Sequence, residues 1–593
     1  MQIAIIGAGP SGLVTCKSLL EAASADFPFD PIILEQEDDI GGTFKYRAYE
    51  VGNSHLVSSK QLTCFSDFRL PASHADHVTL EQYVEYLRAY CKHFNITKRI
   101  RLNTKVIKIC RTARGGHLIS YTQRVSGPLS EWDPTPRTIC VTHIAICTGL
   151  HVIPHIPSIP GLEHVSHLNM KDPPAVFHSH HYKSRQQLEG QYVMILGTGE
   201  TGMDIAYEAV KAGAKEVILC SRSGFLSFPK ALNDFEIFGY KFTSNNPLPI
   251  DSLITNLGET AYVHPWVAAN HIRWFVSDFV LKCLLWVITG TRAGCNQWVG
   301  EIESDRLGRA YTFLNKSHKA MPYINRPYRK RPRIFDYVSR YIDPPEDSPP
   351  QTEFIIDLAP FPTKFLPNGC AVFPLTPRKD AIRMADRIVQ PNLVIYATGY
   401  TQEFGFLDKE SNYPTPGDAN IRNVVKEGDE TVGFIGFVRP GVGAIPPLAE
   451  MQAFFWITLL KGGLKEPLHP AYYHLLFKEN SRIKYGVDHS AYMSTLAKDM
   501  GAAPSLSELW LEYGTHVLLC YCFGAAFTPF YRLVGPFRSS TAPHIIKTEL
   551  WETIIRRGII GNLVMGLIPM LFYLFLNSIV YVVVLVADDF YGL

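Results

Sequence analysis

Two glycine-rich turns carry the clearest chemistry in this sequence. They are residues 7–12, Gly-Ala-Gly-Pro-Ser-Gly, and residues 197–202, Gly-Thr-Gly-Glu-Thr-Gly. In such a turn the first glycine makes a tight bend, the second lets a pyrophosphate approach the backbone, and the third lets a helix pack against a strand. The phosphates then lie at the positive end of the helix. The spacing therefore predicts two dinucleotide sites, one containing Gly7, Gly9, Ser11 and Gly12, and the other Gly197, Gly199, Thr201 and Gly202.

The residue that ends the next strand indicates which nucleotide each turn binds. Glu35 ends an apolar run after the first turn, where its carboxylate can accept hydrogen bonds from the ribose hydroxyls of FAD or NAD. After the second turn the corresponding strand ends at Cys220, and Ser221 and Arg222 follow without a carboxylate. A guanidinium at that position can pair with a 2′-phosphate. We therefore predict FAD at the first site and NADPH at the second.

The other reactive side chains form no recognisable catalytic or metal-binding set. His178, His180 and His181 cluster, but no carboxylate or cysteine lies at ligand spacing, so we predict no metal site and regard these histidines as structural or adjacent to a cofactor. The 12 cysteines include no CxxC pair, which argues against a zinc framework and a disulfide scaffold. No catalytic residue can be named, which agrees with flavin chemistry, because there the cofactor performs the difficult step.

The elements around the two turns are the ones that dinucleotide binding requires. Apolar strands precede the turns at 2–6 and 192–196, and a helical pattern follows each turn. Two further apolar strands, 144–149 and 394–399, end in Thr-Gly and place Thr148, Gly149 and Gly399 as candidate cofactor contacts. We expect both of these strands to belong to the first unit, which the second unit would then interrupt.

This pattern predicts an α/β fold with two Rossmann-like dinucleotide-binding domains, in which the NADPH domain is inserted into a split FAD domain. The expected divisions are 1–165 for the first part of the FAD domain, 166–345 for the NADPH domain with an irregular insertion at about 225–330, 346–545 for the second part of the FAD domain, and 546–593 for a membrane-anchor tail. The proline-rich stretch 343–350 is the expected returning linker.

Composition narrows the class of protein. The chain has 593 residues, of which 46% are hydrophobic, so it can bury a large core without disulfides. The formal net charge of +2 gives no electrostatic case for a nucleic-acid partner. The sequence leaves the oligomeric state open.

The carboxyl-terminal region predicts a transmembrane helix. Residues 558–587 contain no charged residue, and as a helix they would span about 45 Å against a hydrocarbon core of ~30 Å. Arg556 and Arg557 precede this segment, and Asp588 and Asp589 follow it, so the positive-inside tendency places the catalytic body in the cytosol. We expect the endoplasmic reticulum to be the membrane. A buried hairpin is the alternative, and the apolar segment 274–288 is a second candidate for membrane contact.

With these motifs, the sequence resembles the flavin-containing monooxygenase family of class B flavoprotein monooxygenases up to about residue 550. The matching positions are 7–12, Glu35, 41–44, 58–68, 147–149, 178–182, 197–202, 221–224, 397–400, 443–446, Glu450 and 531–536. The resemblance implies flavin contacts at Gly42, Thr43 and Phe44, and a contact of Ser58 with both cofactors. The basic run 326–333 has no counterpart in these motifs, and we expect it to be a solvated face.

The resemblance also implies a reaction. NADPH reduces the flavin, O₂ adds to form a C4a-hydroperoxide, and retained NADP⁺ shields it from water. The distal oxygen then passes to the nitrogen or sulfur of a small lipophilic substrate, as in N,N-dimethylaniline monooxygenases. Baeyer–Villiger oxidation of a ketone is the alternative. An FAD- and NADPH-dependent reductase is a minor one, because no closely spaced cysteine pair of the CxxC or CxxxxC type exists.

The sequence departs from the family pattern in two places. With His178 as the histidine of the family fingerprint, Asp172 and Pro174 replace its Phe and Gly, and the fingerprint ends in Tyr182 rather than Trp, which favours heteroatom oxidation. Val57 stands where the family commonly has an Asn that contacts both cofactors, and Asn53 is nearby but out of register. We assign Val57 no role in catalysis.

Overall fold

The computed structural model describes most of the chain. The described residues are 1–46, 55–124, 131–165, 175–227, 230–232, 235–237, 240–242, 247–254, 263–264, 266–267, 299–300, 314–317, 319–325, 339–340, 356–475 and 485–591. Several features singled out in the sequence lie outside these residues, namely Asn53, Asp172, Pro174, the apolar segment 274–288, the basic run 326–333 and the linker 343–350.

Five parallel strands form the first sheet. In order across the sheet they are Val432–Phe434, His143–Ile146, Gln2–Ile6, Asp30–Leu34 and Ile100–Arg101. The first glycine turn leads from the central strand into helix Pro10–Ala22. Because helices cover both faces of a parallel sheet, its central strands are apolar throughout rather than alternating.

The second sheet repeats this arrangement. Its five parallel strands are, in order, Ile356–Pro360, Glu216–Ser221, Tyr192–Leu196, Leu393–Tyr396 and Val176–His178. The second glycine turn leads from Tyr192–Leu196 into helix Glu200–Lys211. The predicted α/β class and both strand–turn–helix units are confirmed.

One strand assignment made from the sequence is wrong. Leu393–Tyr396 pairs with Tyr192–Leu196, so the Thr-Gly motif that ends at Gly399 belongs to the second sheet and not to the first. Ile356–Pro360 also joins the second sheet, which places the return to the first sheet well beyond the expected boundary at residues 345 and 346. The physical reason is that a short strand buried on both faces shows no alternation of polar and apolar residues. Its sequence therefore fits either parallel sheet equally well.

Shorter strands surround the two sheets. Three of them form an antiparallel sheet: Thr104–Arg111, His117–Gln123 and Arg137–Val141. The strands Ile153–Pro154 and Tyr400–Thr401 pair with each other, so two connections between the main sheets run side by side. The remaining described strands are Phe225–Ser227, Ala231–Leu232, Phe235–Ile237, Tyr240–Phe242, Leu248–Pro249, Val299–Gly300, Leu314–Asn315, Ser339–Arg340, Lys364–Phe365, Ala371–Val372, Arg439–Pro440 and Gly486–Val487.

Helices build the largest core, which lies against the first sheet. The longer helices besides the two already given are Leu80–His93, Ile445–Leu460, His489–Asp499, Thr515–Phe523, Trp551–Asn562 and Ile568–Tyr591. Shorter ones are Thr43–Tyr46, Lys60–Thr63, Asp251–Ile254, Met321–Asn325, Lys379–Met384, Leu506–Glu508 and Ala542–Ile545. Helix Ile445–Leu460 is apolar almost all round, because it packs between Pro10–Ala22 and His489–Asp499.

A buried polar network joins distant parts of this core. Arg532 donates to Glu21 at 2.6 Å and to Asp67 and Ser66, both at 3.1 Å. The Ser66 hydroxyl in turn donates to Glu450 at 2.6 Å. Ser66, Asp67, Glu450 and Arg532 all lie in the sequence stretches that resemble the flavin-containing monooxygenases, and the structure shows that they stabilise one another across the fold.

The carboxyl-terminal helix separates into a packed part and an exposed part. Ile546, Leu550 and Thr553 are fully buried, so the start of the expected tail at residue 546 packs within the body of the protein. By length and composition, residues Met565–Val586 could cross a membrane, and only 11% of their most apolar window is buried. Asn577, in the middle of this helix, accepts a hydrogen bond from the backbone of His264 at 2.8 Å.

Candidate functional site

The three glycines of the first turn differ in what surrounds them. A Cβ atom at Gly7 would lie 2.8 Å from the carbonyl oxygen of Cys147, and one at Gly12 would overlap the carbonyl oxygen of Gly7. A Cβ at Gly9 would meet no atom of the described residues within 4 Å, and the Gly9 backbone (φ −73°, ψ 177°) is one that any residue can adopt. Nothing in the described part of the chain therefore requires glycine at position 9, so the free space there is available to a ligand.

The helix that follows this turn offers an anion site. Helix Pro10–Ala22 starts after Gly9, and no side chain caps its amino end. Uncapped backbone amides and the helix dipole together favour a negative group at that end. Gly42 approaches the turn from the opposite side, since its Cβ would lie 3.4 Å from the Cα of Gly9.

A cavity of about 620 Å³ opens beside the first glycine turn, within the usual size range of cofactor sites. Its walls include many of the residues predicted from the sequence: Gly7, Gly9, Ser11, Glu35, Gly42, Thr43, Phe44, Thr148 and Gly149. Gly12 lies behind the turn, where it allows the helix to pack against the strand. The structure therefore brings the predicted first site together.

Glu35 forms part of the cavity wall. Its carboxylate accepts hydrogen bonds from the backbone amides of Ala8 at 2.6 Å and Glu37 at 3.0 Å. Burial raises the pKa of Glu35, and the two amide donors oppose that rise. The amides fix the carboxylate at the end of its strand, and its other lone pairs can still accept hydrogen bonds from hydroxyl groups.

Part of the cavity wall was not predicted. Ile445 and Pro446, at the start of helix Ile445–Leu460, lie in a stretch that resembles the family but had no assigned role. His151 and Gln402 come from the paired connections between the sheets. His151 and Gln402 lie beyond the Thr-Gly motifs that end the preceding strands, so no sequence pattern indicated that they face a ligand.

The second glycine turn has the same geometry as the first. A Cβ at Gly197 would overlap the carbonyl oxygen of Ala397, and one at Gly202 would overlap that of Gly197. A Cβ at Gly199 meets no atom within 4 Å in the part of the chain that the structure describes, and the Gly199 backbone is again extended (φ −71°, ψ 177°). Helix Glu200–Lys211 begins there without a side-chain cap, and Thr201 lies half-buried in its first turn. The two turns thus share one design on two separate sheets.

Arg222 is exposed at the end of the strand next to the second turn. Its guanidinium carbon lies 5.4 Å from the centre of the Phe361 ring. A second arginine, which the sequence did not reveal, reinforces this strand end: Arg378 donates to the carbonyl oxygen of Arg222 at 2.6 Å and to the Ser221 hydroxyl at 2.8 Å. Arg378 also pairs with the buried Asp380, so the exposed Arg222 is the arginine at this edge that has no carboxylate partner among the described residues.

Gly399 and His178 lie on the far side of the second sheet from this edge. The Gly399 carbonyl oxygen accepts a hydrogen bond from the backbone amide of His155 at 2.9 Å and lies 3.0 Å from the His178 Nε2 atom. His178 is buried at the end of its strand, and its Nδ1 accepts from the His180 amide. These contacts give His178 and Gly399 a structural role between the two sheets, and Gly399 does not line the first cavity.

Ser58 lies beside the first cavity rather than in its wall. Its hydroxyl donates to the carbonyl oxygen of Gly443 at 2.9 Å, two residues before Ile445 of the cavity wall. Lys316 contacts the same hydroxyl from the other side, at 3.4 Å. Val57 is half-buried next to it and contributes no polar atom from its side chain.

The described cysteines and metal-ligating side chains add no further centre. The ten described cysteines are all free thiols, and burial raises the pKa of Cys147, whose backbone carbonyl packs against Gly7, to about 12. Such a thiol stays protonated and is a poor nucleophile, which weakens the dithiol-reductase alternative. Within the described part of the chain, no group of three or more His, Cys, Asp and Glu side chains converges.

Comparison with known proteins agrees with this geometry. Residues 1–242 and 380–588 match the family described as flavin-binding monooxygenase-like. Monooxygenase PC-14 of Penicillium crustosum is 42% identical over 575 residues and covers 95% of each chain. Monooxygenase ptmN of Penicillium ochrochloron is 42% identical over 567 residues, covering 94% of this chain and 90% of its own length.

More distant relatives match over most of the chain. Flavin-containing monooxygenase 1 of Canis lupus familiaris is 25% identical over 578 residues, covering 93% of this chain and 92% of its own. The crystal structure of OTEMO in complex with FAD and NADP superposes with a TM-score of 0.52 at 12% identity, covering 83% of this chain and 96% of the other. At that identity the likeness concerns the fold.

Proposed function

This chain belongs to the flavin-binding monooxygenase-like family, as its motifs predicted, and we propose that it is an NADPH- and O₂-dependent FAD monooxygenase that oxygenates the nitrogen or sulfur of a small lipophilic substrate. FAD occupies the cavity beside the first glycine turn, and NADPH binds at the second. The first sheet, with its strands between residues 2 and 146 and its return at 432–434, serves the flavin. The second sheet, between residues 176 and 396, serves the pyridine nucleotide.

The observation that carries this proposal is the duplicated glycine geometry. At Gly9 and at Gly199 the backbone does not need glycine, and an added Cβ would meet no atom of the described chain within 4 Å. In both turns the flanking glycines are instead required by close backbone packing. Two such gaps, each at the uncapped start of a helix, support two separate pyrophosphates.

The residues of the first cavity fit FAD. Glu35 offers a fixed carboxylate for the ribose hydroxyls, and Ser11 lies in the first turn of the helix that would receive the phosphates. Phe44, Phe404 and Phe406 give the cavity an apolar portion, which suits an aromatic ring system. When bound, the flavin supplies the activated oxygen, while the protein's task is to hold the two nucleotides and exclude water.

The overall reaction is balanced by these cofactors. NADPH supplies two electrons, and the solvent supplies one proton. One atom of O₂ becomes bonded to the substrate nitrogen or sulfur, and the other leaves as water. Because the flavin and O₂ perform the redox step, the protein needs no paired acid and base, which agrees with a site whose recognised residues are glycines, an acid for ribose and an arginine for phosphate.

The carboxyl-terminal helix supports a membrane location for the same enzyme. Apolar side chains on Met565–Val586 are largely exposed, among them Leu571, Leu574, Phe575, Ile579, Val582, Val583 and Leu585. A face of that size in contact with water would promote aggregation. We propose that the helix anchors the protein in the endoplasmic reticulum membrane with its catalytic body in the cytosol, where lipophilic substrates partition from the bilayer.

The reaction class can be tested with simple probes. Purified full-length protein with FAD and NADPH is incubated under ¹⁸O₂ with N,N-dimethylaniline, methyl phenyl sulfide and cyclohexanone in separate reactions, and products are analysed by mass spectrometry. We expect an N-oxide or sulfoxide that contains one ¹⁸O atom and requires NADPH. Lactone from cyclohexanone alone would instead assign Baeyer–Villiger chemistry. NADPH oxidation that yields only hydrogen peroxide with all three probes would contradict the proposal.

A further inference from the structure

A buried charge pair lies outside the cavity and outside every motif recognised in the sequence. Lys316 is 3% exposed and Asp251 is fully buried, with 3.4 Å between the ammonium and the carboxylate. Desolvation largely offsets the attraction within such a pair, so burial of two charges is weak evidence for a role in stability. The position of the pair therefore calls for another explanation.

Lys316 belongs to a segment that is hydrogen-bonded to the second glycine turn and to the helix that follows it. The Asn315 side-chain amide donates to the carbonyl oxygen of Thr198 at 3.1 Å, and the Lys316 backbone amide donates to Glu200 at 3.4 Å. The Ser317 hydroxyl donates to Asp204 on the helix that follows the turn. These hydrogen bonds attach residues 315–317 to the second glycine turn and its helix.

The two charged groups of the pair also make contacts beside the flavin cavity. The Lys316 ammonium lies 3.4 Å from the Ser58 hydroxyl, which donates to Gly443 near the cavity wall. The Asp251 carboxylate accepts from the backbone amide of Ser59 at 2.7 Å. We call Ser58, Asp251, Asn315 and Lys316 the polar bridge, since these residues connect the second glycine turn to the edge of the first cavity.

A buried histidine beside the polar bridge has unused hydrogen-bonding capacity. His489 packs so closely on Gly443 that a Cβ at Gly443 would overlap its ring. Neither ring nitrogen of His489 has a hydrogen-bond partner among the described residues. Burial lowers the pKa of His489 from 6.5 to about 4, so the ring is neutral at physiological pH. An orphaned buried imidazole at this boundary points to a polar ligand group or a water that completes the site.

We propose that Lys316 is a positioning residue for the pyridine nucleotide, which acts by holding the Ser58 hydroxyl and fixing the second glycine turn relative to the flavin cavity. Asp251 neutralises the ammonium and keeps it in place. The proposal rests on the proposed function, because it requires NADPH on one side of the polar bridge and FAD on the other. Hydride transfer depends on close alignment of donor and acceptor, so a small loss of alignment lowers the rate strongly.

The test compares Lys316→Met with Lys316→Arg and with Lys319→Met, an exposed lysine of the same segment that contacts the Tyr207 ring. For each protein three quantities are measured: flavin content, the dissociation constant of NADP⁺ by calorimetry, and the rate of anaerobic flavin reduction by NADPH. For Lys316→Met we expect normal flavin content, NADP⁺ binding weakened by about tenfold and reduction slowed by about 10- to 100-fold. Lys316→Arg recovers part of both losses, and Lys319→Met behaves as wild type.

Three further variants separate a positioning role from an effect on folding and test whether Lys316 acts through Ser58. Lys316→Met leaves Asp251 as a buried, uncompensated charge, so Lys316→Met combined with Asp251→Asn removes both charges and protects the fold. Ser58→Ala alone should reproduce much of the Lys316→Met defect. The Ser58→Ala/Lys316→Met double variant should then be little worse than either single one, because the two residues act through one contact.

The outcomes distinguish the two proposals. If wild-type protein is reduced normally by NADPH but Lys316→Met matches Lys319→Met, the positioning role is wrong and the proposed function stands. The positioning role is equally wrong if the defects of Ser58→Ala and Lys316→Met multiply. A wild-type protein that holds flavin but is not reduced by NADPH would overturn the proposed function, and the role of Lys316 with it.

Discussion

Gly9 and Gly12 lie in the same turn but are glycine for opposite reasons. Gly12 leaves room for the protein's own backbone, because a Cβ there would overlap the Gly7 carbonyl oxygen. Gly9 leaves room that no described protein atom uses, and its backbone would accept any residue. The sequence motif treats the two positions alike, whereas the structure shows Gly12 in close packing and Gly9 beside open space, which we propose a ligand fills.

This difference predicts opposite effects of the same substitution. Gly12→Ala should destabilise the protein by about 3 kcal/mol or more, because the helix must move away from the strand. Gly9→Ala should preserve the melting temperature but weaken FAD binding by at least about tenfold, since its methyl group enters the space for the pyrophosphate. Thermal unfolding of apoprotein and titration with FAD measure the two effects. A Gly9→Ala protein with full flavin affinity would show that no pyrophosphate binds there.

We expect the preference for NADPH over NADH to depend on Arg222. Arg222→Ala should weaken NADPH binding by about 10- to 100-fold, because a charge-assisted contact with a phosphate contributes roughly 1.5–3 kcal/mol. NADH, which lacks the 2′-phosphate, should be affected no more than about twofold. The measurement is KM for each nucleotide, with exposed Arg114→Ala as the control for loss of one positive charge. Equal losses for NADPH and NADH would remove Arg222 from the phosphate site.

At the scale of elements, sequence patterns predicted local units well and their partners poorly. Each strand–turn–helix unit was predicted because its signals lie within about 35 consecutive residues. Leu393–Tyr396 was assigned to the wrong sheet because its apolar run carries no information about its neighbour. The polar bridge was missed for a related reason: Ser58 and Lys316 are 258 positions apart, and neither belongs to a motif that implies the other.

The antiparallel sheet beside the first unit contains a pH-sensitive contact. His117 is fully buried at the start of strand His117–Gln123, and its Nδ1 atom lies 2.7 Å from the Tyr413 hydroxyl. Burial, assisted by the Arg111 guanidinium, lowers the pKa of His117 from 6.5 to about 4. The unfolded chain therefore binds a proton at a higher pH than the folded chain does. The contribution of neutral His117 to the free energy of unfolding is complete above pH 6.5 and is lost as the pH falls towards 4.

We expect His117→Gln, which does not titrate, to remove this dependence. Between pH 7 and pH 4, wild-type protein should lose on the order of 3 kcal/mol of unfolding free energy relative to the variant. Other buried groups such as His489 titrate in both proteins and cancel in the difference. Urea unfolding of both proteins at a series of pH values measures this difference in unfolding free energy. If the free energies of unfolding of the two proteins changed in parallel with pH, the pKa of His117 would not be lowered in the folded state.

At the scale of the whole molecule, the carboxyl-terminal tail serves both the body and the proposed membrane anchor. The tail up to residue 557 packs on the body, where Arg556 donates to Asp76 at 2.6 Å and Arg557 donates to the Ser252 carbonyl oxygen at 2.7 Å. These guanidinium groups are engaged within the protein, although the sequence suggested that they flank the membrane. The exposed apolar helix begins only after this packed part.

Two truncations separate these roles. Removal of all residues after 562 should release the protein from membranes with its flavin content intact, because it deletes the largely exposed helix and leaves the packed part of the tail in place. Removal of all residues after 545 should instead yield unstable or insoluble protein, since it deletes the buried Ile546, Leu550 and Thr553. Fractionation with a carbonate wash, combined with flavin absorbance, measures both. If the protein cut after residue 562 stays in the membrane fraction, another segment is the anchor.

The central claim is that one chain brings a pyridine nucleotide to a bound flavin, each held by its own glycine turn. The most direct measurement is the visible absorbance of purified full-length protein during anaerobic titration with NADPH, followed by readmission of O₂. We expect a yellow protein whose flavin bands bleach with one equivalent of NADPH, bleach far more slowly with NADH, and return after O₂ is added. A colourless preparation that cannot be reconstituted with FAD, or a flavin that NADPH does not reduce, would contradict the account.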